Sequence, residues 1–430
     1  MCGIAGFVSV EGLPGDAVAR AVAMRDTLEH RGPDDAGVWH DTHAALAHRR
    51  LSIVDLSRGH QPLSNEDGRI WVVYNGEIYN HADVRAELEP HGHQFRTTCD
   101  TETIVHAYES WGDEAVQRFR GMFAFGLWDT ARRRLLLVRD RLGVKPLYWA
   151  RAGTSLLFAS EIKAILASGL LPRQVREDLI PEVLSTRTIA SDETLFAGIY
   201  KLPPGHLLTF EDGQVTTRRY WDLPVTHPDA AGRRARVSQA AVIDEFRQRL
   251  EASIRLRLMA DVPLGMFLSG GIDSSAVAAL MSRMIDRPLQ TFSVAFADRA
   301  YNELQYSREV AQAVGADAHE VVIDEADFFS LLPRLVWHED EPIAHPSSVA
   351  LYAVSALARQ HVKVVLTGEG SDELLAGYGR YPRIAWNWWA GTAWERAVPL
   401  AVRRFVADQV VPRTAGRLGR YASRSFAAMP

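Results

Sequence analysis

Cysteine is nearly missing from this chain: Cys2 and Cys99 are the only two in 430 residues. Two thiols cannot build a disulfide framework, and so few fit a reducing cytoplasm best. Charge of one sign is missing too. Against 48 Lys and Arg stand 53 Asp and Glu, and the net charge of -5 gives no electrostatic case for wrapping nucleic acid or coating an anionic membrane. No apolar run reaches the roughly 18–20 residues a membrane helix needs; the stretch Ile384-Ala385-Trp386-Asn387-Trp388-Trp389 is far too short. No basic leader precedes an apolar run, so no secretory signal is expected. Internal repeats and low-complexity tracts are absent as well. The rest is 47% hydrophobic and 23% charged, ordinary for a globular enzyme. Its length suits about two or three domains of roughly 150–200 residues.

The pattern changes once along the chain. Up to about Phe210 the strongest signals are short strands at 71–74, 124–128 and 135–138. Helices are predicted at 81–89 behind Asn80 and at 102–111 behind Asp100 or Thr101. Strands outnumber helices, which predicts sheets covered by helices. Residues 226–237 have linker composition, their arginines reading as a solvated connector rather than a nucleic-acid patch. Beyond it, strands at 264–268, 291–296, 320–323 and 363–366 alternate with helices at 274–285, 303–314 and 347–360. That alternation predicts a doubly wound parallel sheet, with its ligand at the carboxyl ends of the strands. The expected division is a domain at 1–210, a connection and linker at 211–237 and a second domain at 238–430.

Cys2 follows the initial methionine directly. Once Met1 is trimmed, Cys2 carries a thiol and a free α-amine whose reference pKa values, ~8.5 and ~7.7–8.0, let each exchange a proton with the other near neutrality. That is the N-terminal form of an activated nucleophile. Four further pieces accompany it: the turn His30-Arg31-Gly32-Pro33-Asp34, the strand His48-Arg49-Arg50-Leu51-Ser52-Ile53-Val54-Asp55, Asn75-Gly76-Glu77-Ile78-Tyr79-Asn80 after a strand, and Asp100 at a helix start. Alone, Asn-Gly reads as a hairpin turn, Asp100 as an N-cap and Arg50 as a surface residue. Together they meet a chemical need. Attack on a carboxamide develops an oxyanion, which an asparagine amide and a glycine N–H can face. A free amino-acid substrate also needs a cation for its carboxylate and anions for its ammonium.

In the second half, Leu268-Ser269-Gly270-Gly271-Ile272-Asp273-Ser274-Ser275 joins a strand end to a helix start. Its glycines let backbone N–H groups approach a phosphate, and the helix start favours an anion. No Gly-Lys-Ser/Thr ending follows, so this is not the loop that grips β- and γ-phosphates for hydrolysis. Thr367-Gly368-Glu369-Gly370-Ser371-Asp372-Glu373-Leu374 again follows an apolar strand and supplies three carboxylates for Mg²⁺ or substrate.

The front blocks resemble the glutaminase domain of class II amidotransferases, specifically that of glutamine-hydrolysing asparagine synthetases. The back motif resembles the pyrophosphate loop of N-type ATP pyrophosphatases. The resemblance runs from Met1 to about Tyr381 and implies an α/β two-domain fold: an N-terminal Ntn-hydrolase αββα sandwich and a C-terminal doubly wound parallel sheet of the ATP pyrophosphatase type. It makes Cys2 the nucleophile and Asn75 with Gly76 the oxyanion hole. Arg50, the backbone of Leu51, Ser52, Ile53 and Val54, and Asn75, Gly76, Glu77 and Asp100 would hold glutamine. Of Arg49 and Arg50, the second aligns. ATP would lie on Leu268, Ser269, Gly270, Gly271, Asp273, Ser274, Ser275, Val294, Thr367 and Gly368, with Asp273 and Asp372 on Mg²⁺ and Glu369 near the reacting acyl group. The implied reaction transfers the amide nitrogen of glutamine to an AMP-activated aspartate. The implied partners are glutamine, aspartate or another carboxylate, and ATP, with a homodimer as the suggested assembly.

One departure stands out. No counterpart of a later lysine, which family members contribute to adenylation, is found before Pro430 in the segment holding Arg403, Arg404, Arg413, Arg417 and Arg420. Either the sequence is a fragment or its synthetase half is impaired. The alternatives are therefore a related amidotransferase acting on another carboxylate, or a bare glutaminase or non-synthesising subunit.

Overall fold

The computed structural model describes residues 1–224, 238–298, 304–343 and 345–410. The connector read at 226–237, the helix start at 303 and Arg413, Arg417 and Arg420 lie outside them. The chain forms two compact units, Met1–Thr367 and Gly368–Pro430.

The first unit begins with two six-stranded antiparallel sheets. Strands are numbered along the chain. One sheet contains β1 (Gly3–Ser9), β2 (Asp35–His40), β3 (Ala44–Arg50), β8 (Tyr148–Ala152), β9 (Ser155–Ala159) and β10 (Ile199–Lys201), in the order β10-β8-β9-β1-β3-β2. The other contains β4 (Leu63–Ser64), β5 (Ile70–Ile78), β6 (Gly121–Asp129), β7 (Arg134–Arg139), β11 (His206–Glu211) and β12 (Gln214–Arg219), in the order β12-β11-β7-β6-β5-β4. All seven residues of β1 are buried, because both faces of its sheet are covered. Alternate side chains go to opposite faces. Ile4 and Val8 meet Val73, Leu137 and Phe158 between the sheets. Ala5 and Phe7 face outward onto Ala21 and Met24 of α1 (Ala17–Asp26) and the residues of α4 (Ile162–Ala167). On the far side, α2 (His81–Leu88) and α3 (Asp100–Trp111) cover Ile70, Val72, Tyr74 and Phe125. The layers run helix, sheet, sheet, helix, and full burial of a Phe158-sized side chain contributes about 2–3 kcal/mol.

Several sequence expectations shift here. Asn75-Gly76 lies inside β5, not after a strand or in a hairpin. The strand expected over 48–55 ends at Arg50, and residues 51–55 are a loop with Asp55 at φ 47. Asp100 is the first residue of α3, with Cys99 as the N-cap. Asn80 stands at the start of α2 but bonds Arg118 O and Arg120 N instead of capping it. Residues 214–219, inside the expected connection, form β12 and pair with β11.

The same unit continues into a four-stranded parallel sheet of β13 (Leu264–Phe267), β14 (Gln290–Phe296), β15 (Asp317–Ile323) and β16 (Val364–Leu366), in the order β15-β14-β13-β16. Helices α6 (Gln239–Arg257), α7 (Ile272–Met281) and α8 (Leu304–Val314) bury Ile254, Val277 and Ala311 with Met266. The opposite face of the sheet buries Phe292 against Val354 and Ala358 of α10 (Ser347–Ala358), and α9 (Glu325–Glu339) adds Leu335. Helices on both faces make the sheet doubly wound. No sequence expectation covered α6 or α9, although Asp324 and Asp327 of α9 form a reciprocal capping box. The short helix α5 (Ile180–Thr186) belongs to the sandwich region, between α4 and β10 in sequence.

The second unit, described through residue 410, holds α11 (Ser371–Leu375), α12 (Arg380–Ala397) and α13 (Leu400–Phe405).

Candidate active site

Cys2 immediately precedes β1, whose neighbours are β3 and β9. Its sulfur accepts the Leu51 N–H at 3.4 Å and lies 3.7 Å from Leu51 O. Burial pushes the thiol pKa up, and the adjacent terminal ammonium pulls the other way. Met1 is 53% exposed, yet its amine sits in buried surroundings that bring the ammonium down to about 5. An amine with so low a pKa is a free base at neutral pH.

The backbone oxygen of Cys2 accepts from Arg31 Nε at 2.9 Å, and Arg31 Nη1 donates to Glu161 at 2.9 Å. Glu161 also meets His30 and Lys163. Burial alone would raise its pKa, but the hydrogen bond from His30 and the charges of Arg31 and Lys163 hold it at about 2.

Asn75 and Gly76 occupy consecutive positions of β5. Asn75 is 1% exposed, and its Nδ2 has no hydrogen-bond partner among the described residues. Gly76 pairs with Phe123, whose N–H and C=O are both engaged by Asp140. Gly76 and Phe123 are therefore a non-hydrogen-bonded pair, and the Gly76 N–H points away from β6. The N–H groups of Tyr74 and Ile78 share that direction. They are taken by Gln61 at 2.7 Å and by Asp100 at 2.8 Å, leaving Gly76 between them on the open edge. A Cβ at Gly76 would run into Met122 O and the Phe123 backbone, so no larger residue fits.

Asp100 accepts both Ile78 N and Tyr74 Oη through Oδ2, at 2.8 and 2.7 Å. Glu77 has a buried Oε2 without a partner. Its pKa is raised well above the usual range by burial and by Asp100, against the pull of Lys145 and the terminal ammonium. Lys145 is itself buried, and burial lowers its pKa.

Arg50 is 5% exposed and donates to Val54 O at 2.9 Å, Asp55 O at 2.7 Å and Leu56 O at 3.3 Å. It therefore closes the 51–56 loop around itself, and Gly59 leaves the room its guanidinium occupies. Arg49 points the other way, to Asp26 at 2.9 Å. Ser52 N is held by Asp34 at 2.9 Å, while Ile53 O accepts Asp261 N at 2.9 Å. This assembly offers a thiol, a neutral amine, buried unused donors and a cation with anions nearby, which suits nucleophilic attack on a carboxamide.

In the parallel sheet, Leu268 follows β13, and its N–H bonds Phe292 O at 2.9 Å. Ser293 Oγ donates to Leu268 O at 2.6 Å, one residue before Val294 on β14. Gly270 has φ +79, and a Cβ there would come within 2.5 Å of Tyr306 Cβ. Ser269 and Ser274 hydroxyls lie 3.0 Å apart, and Ser275 Oγ donates to Gly271 O at 2.7 Å. Asp273, in the first turn of α7, has no hydrogen-bond or ion-pair partner among the described residues. A hard oxygen ligand left open beside a phosphate-sized loop fits Mg²⁺ chemistry. The strand order reverses at β13, with β14 on one side and β16 on the other, so this loop opens at the topological switch point. Thr367 follows β16 and is exposed.

In the second unit, Gly368 O accepts Ser371 Oγ at 3.3 Å. Glu369 is exposed. Asp372 is the second residue of α11, packed so closely by Gly377 that a side chain there would collide with its Oδ1.

Two family models match the chain. Residues 1–221 match the model of the glutamine amidotransferase domain family. The chain belongs to that family. Residues 245–428 match the asparagine synthase family. A glutamine-hydrolysing asparagine synthetase 1 of Bacillus subtilis (strain 168) is 36% identical over 384 residues, 89% of this chain and 59% of the relative. A putative glutamine-hydrolysing asparagine synthetase of Mycobacterium tuberculosis (strain ATCC 25618 / H37Rv) is 38% identical over 406 residues, covering 89% and 61%. The chain thus spans about 60% of the length of these curated relatives. Among solved structures, the glutamine phosphoribosylpyrophosphate amidotransferase of B. subtilis shares 15% identity with this chain at a TM-score of 0.40, over 75% of this chain and 81% of that one.

Several residues around Cys2 escaped sequence reasoning. Glu161 and Lys145 sit in ordinary strand-exit segments and join Cys2 only through the fold. Arg31 had a signal, since it belongs to the turn already singled out. Asp140 was also readable as an Asx turn: its carboxylate accepts the N–H groups of Leu142, Val144, Lys145 and Phe123.

Proposed function

We propose that this chain is a glutamine-hydrolysing asparagine synthase: it releases ammonia from glutamine at Cys2 and transfers it to the β-carboxylate of aspartate activated by ATP. The observation that carries the first half is the buried, unpartnered Asn75 Nδ2 beside the edge-facing Gly76 N–H. Family membership and the 34–38% identity to curated asparagine synthetases support the second half. The proposed division is residues 1–210 for the glutaminase, 211–237 for the connection and 238–430 for the synthetase region.

Removal of Met1 gives Cys2 its own amine in the same low-polarity surroundings. The amine takes the thiol proton as sulfur bonds to the amide carbon. Asn75 Nδ2 and Gly76 N–H receive the oxyanion, a term worth about 2.7–4 kcal/mol per donor in comparable sites. The ammonium then protonates the leaving nitrogen, ammonia departs, and water hydrolyses the thioester to glutamate. Arg50 is assigned the substrate carboxylate, and Glu77 with Asp100 the substrate ammonium, whose charge would lower the Glu77 pKa again.

In the back half, Leu268, Ser269, Gly270, Gly271, Ser274, Ser275, Val294, Thr367 and Gly368 are assigned to ATP, and Glu369 to the acyl group. Mg²⁺, with Asp273 and Asp372 as its proposed ligands, would neutralise charge on the departing pyrophosphate. Ammonia displaces AMP from the acyl-adenylate and leaves the amide. A reducing cytoplasm and a homodimer are the proposed setting.

The test is an assay of glutamate, AMP and pyrophosphate with glutamine, aspartate and Mg-ATP, for the wild type and Cys2→Ala. Aspartate-dependent AMP release, with glutamine-dependent asparagine lost in Cys2→Ala, supports the proposal. A different acceptor is the second reading, since two relatives at 35–36% identity carry a name other than asparagine synthetase, amidase. AMP release that needs another acid would select it. Glutamate without AMP under every acid would reduce the protein to a glutaminase.

A further inference from the structure

A second constellation lies on the opposite end of α3 from Asp100. Glu66, His93 and His106 each place one ligand atom so that all lie within 4.8 Å of one another. Glu109 adds a fourth: its Oε2 is 3.1 Å from His106 Nδ1 and 3.5 Å from His93 Nδ1. His106 Nδ1 lies 3.7 Å from Glu66 Oε2. The ligands of a tetrahedral zinc ion with bonds of about 2.0–2.1 Å are separated by roughly 3.3 Å along each edge. The three measured separations bracket that value.

The remaining atoms of His93, Glu109 and Glu66 are already occupied in a way that presents the inner one. His93 Nε2 bonds Ser110 Oγ at 2.7 Å. His106 is buried to 1% of its side-chain surface, with Nε2 facing Glu102 Oε1 at 3.7 Å and no closer partner among the described residues. Glu109 Oε1 accepts Asn65 Nδ2 at 2.7 Å, and Glu66 Oε1 accepts Gln94 N at 3.0 Å. Outer partners that fix the tautomer and ring orientation of histidines, with carboxylates held through their second oxygen, are the support that metal ligands use. An ordinary surface ion pair has no such requirement. The ligand types, two imidazoles and two carboxylates without a thiol, suit Zn²⁺ or a neighbouring first-row divalent ion.

We propose that Glu66, His93, His106 and Glu109 form a structural site for one divalent transition-metal ion, Zn²⁺ first among them. Its effect is mechanical. His106 and Glu109 are on α3, Glu66 is in the β4–β5 turn, and His93 begins the segment leading to Asp100. An ion there pins that segment to the helix that positions Asp100, while taking no part in the chemistry at Cys2.

The full-length chain, stripped with chelator and then titrated with Co²⁺ without nucleotide, reports the site directly. The expected result is one Co²⁺ per chain with the intense visible absorption of a tetrahedral ion, displaced by Zn²⁺, and a higher melting temperature when metal is bound. His93→Gln and Glu66→Gln, both at partly exposed positions, should weaken binding at least tenfold. Ser110→Ala, which removes only an outer partner, should weaken it by about 10-fold. The proposal is overturned if the stripped protein shows no tetrahedral spectrum, or if His93→Gln and Glu66→Gln bind as the wild type does. A spectrum lost only in Cys2→Ala would also overturn it, since the ion would then be on the nucleophile. None of these readouts depends on glutaminase or synthetase activity.

Discussion

Asp261 grips the loop around Asp55 from both sides: its carboxylate accepts the Asp55 N–H at 2.9 Å, and its own N–H donates to Ile53 O at 2.9 Å. Asp261 stands just before β13, the strand that ends at the loop proposed to hold ATP. A parallel contact comes from Lys363, just before β16, whose Nζ lies 2.7 Å from the same Asp34 oxygen that holds Ser52 N. The loop proposed to bind glutamine is thereby clamped by the entry ends of two adjacent strands of the parallel sheet.

Asp261→Ala should loosen the 51–55 loop without touching sulfur chemistry. A hydrogen bond to an ionised group is worth about 1.5–3 kcal/mol, so a roughly tenfold rise in the KM for glutamine is expected. The kcat should stay within about twofold. Steady-state glutaminase kinetics separate the two constants, and an unchanged KM would show that the clamp does not shape the loop.

Asn75→Ala removes a buried donor that the resting protein leaves unpaired. Nothing native is broken apart from packing, so thermal unfolding should move by only a few degrees. Catalysis should fall much further, by about 10²–10³ in kcat with little change in KM, because the donor acts on charge that appears only in the transition state. A variant that kept wild-type kcat would remove Asn75 from the oxyanion site.

Much of the architecture is legible in the sequence, for a physical reason. In β5, β6, β7 and the four parallel strands, local propensity and burial agree, so apolar runs bounded by turn residues locate each of them, although β5, β6 and β15 extend three or four residues beyond the run at one end. Asn75-Gly76 broke that agreement. The pair favours a turn locally, yet it continues β5 because Ala124 and Phe123 pair opposite it. Arg50 was legible from its position, but the three carbonyls it collects were not, because the loop after β3 has no sequence period. Glu161, Lys145 and Asp261 carried no local signal at all. Each reaches its partner only through long-range packing.

Glu161 gives the protein a pH dependence of known sign. Its carboxyl is held at about 2 against an ordinary 4.5. A depressed carboxyl pKa stabilises the folded chain fully above the ordinary value. That contribution is lost as pH falls from about 4.5 toward 2. The difference corresponds to about 3 kcal/mol. Glu161→Gln should therefore cost up to about 3 kcal/mol near pH 7, measured by urea denaturation. The gap to wild type should close steadily below pH 4.5. A gap constant across that range would mean that the loss comes from packing and not from charge.

Gly270→Ala tests the back half alone. The residue sits at φ +79, where a Cβ is strained, and the added methyl would press within 2.5 Å of Tyr306 Cβ and 2.6 Å of Ser307 N. Left-handed backbone costs a non-glycine residue about 1–2 kcal/mol, so the loop should shift rather than the sheet unfold. Nucleotide contacts made through backbone N–H groups depend on the loop's path, and AMP formation should drop by at least tenfold. Glutamate release without ATP should be unaffected, because Cys2, Asn75 and Arg50 all lie in the front sandwich. Equal loss of both activities would point to global destabilisation. Retained AMP formation would mean that this turn does not carry the phosphates.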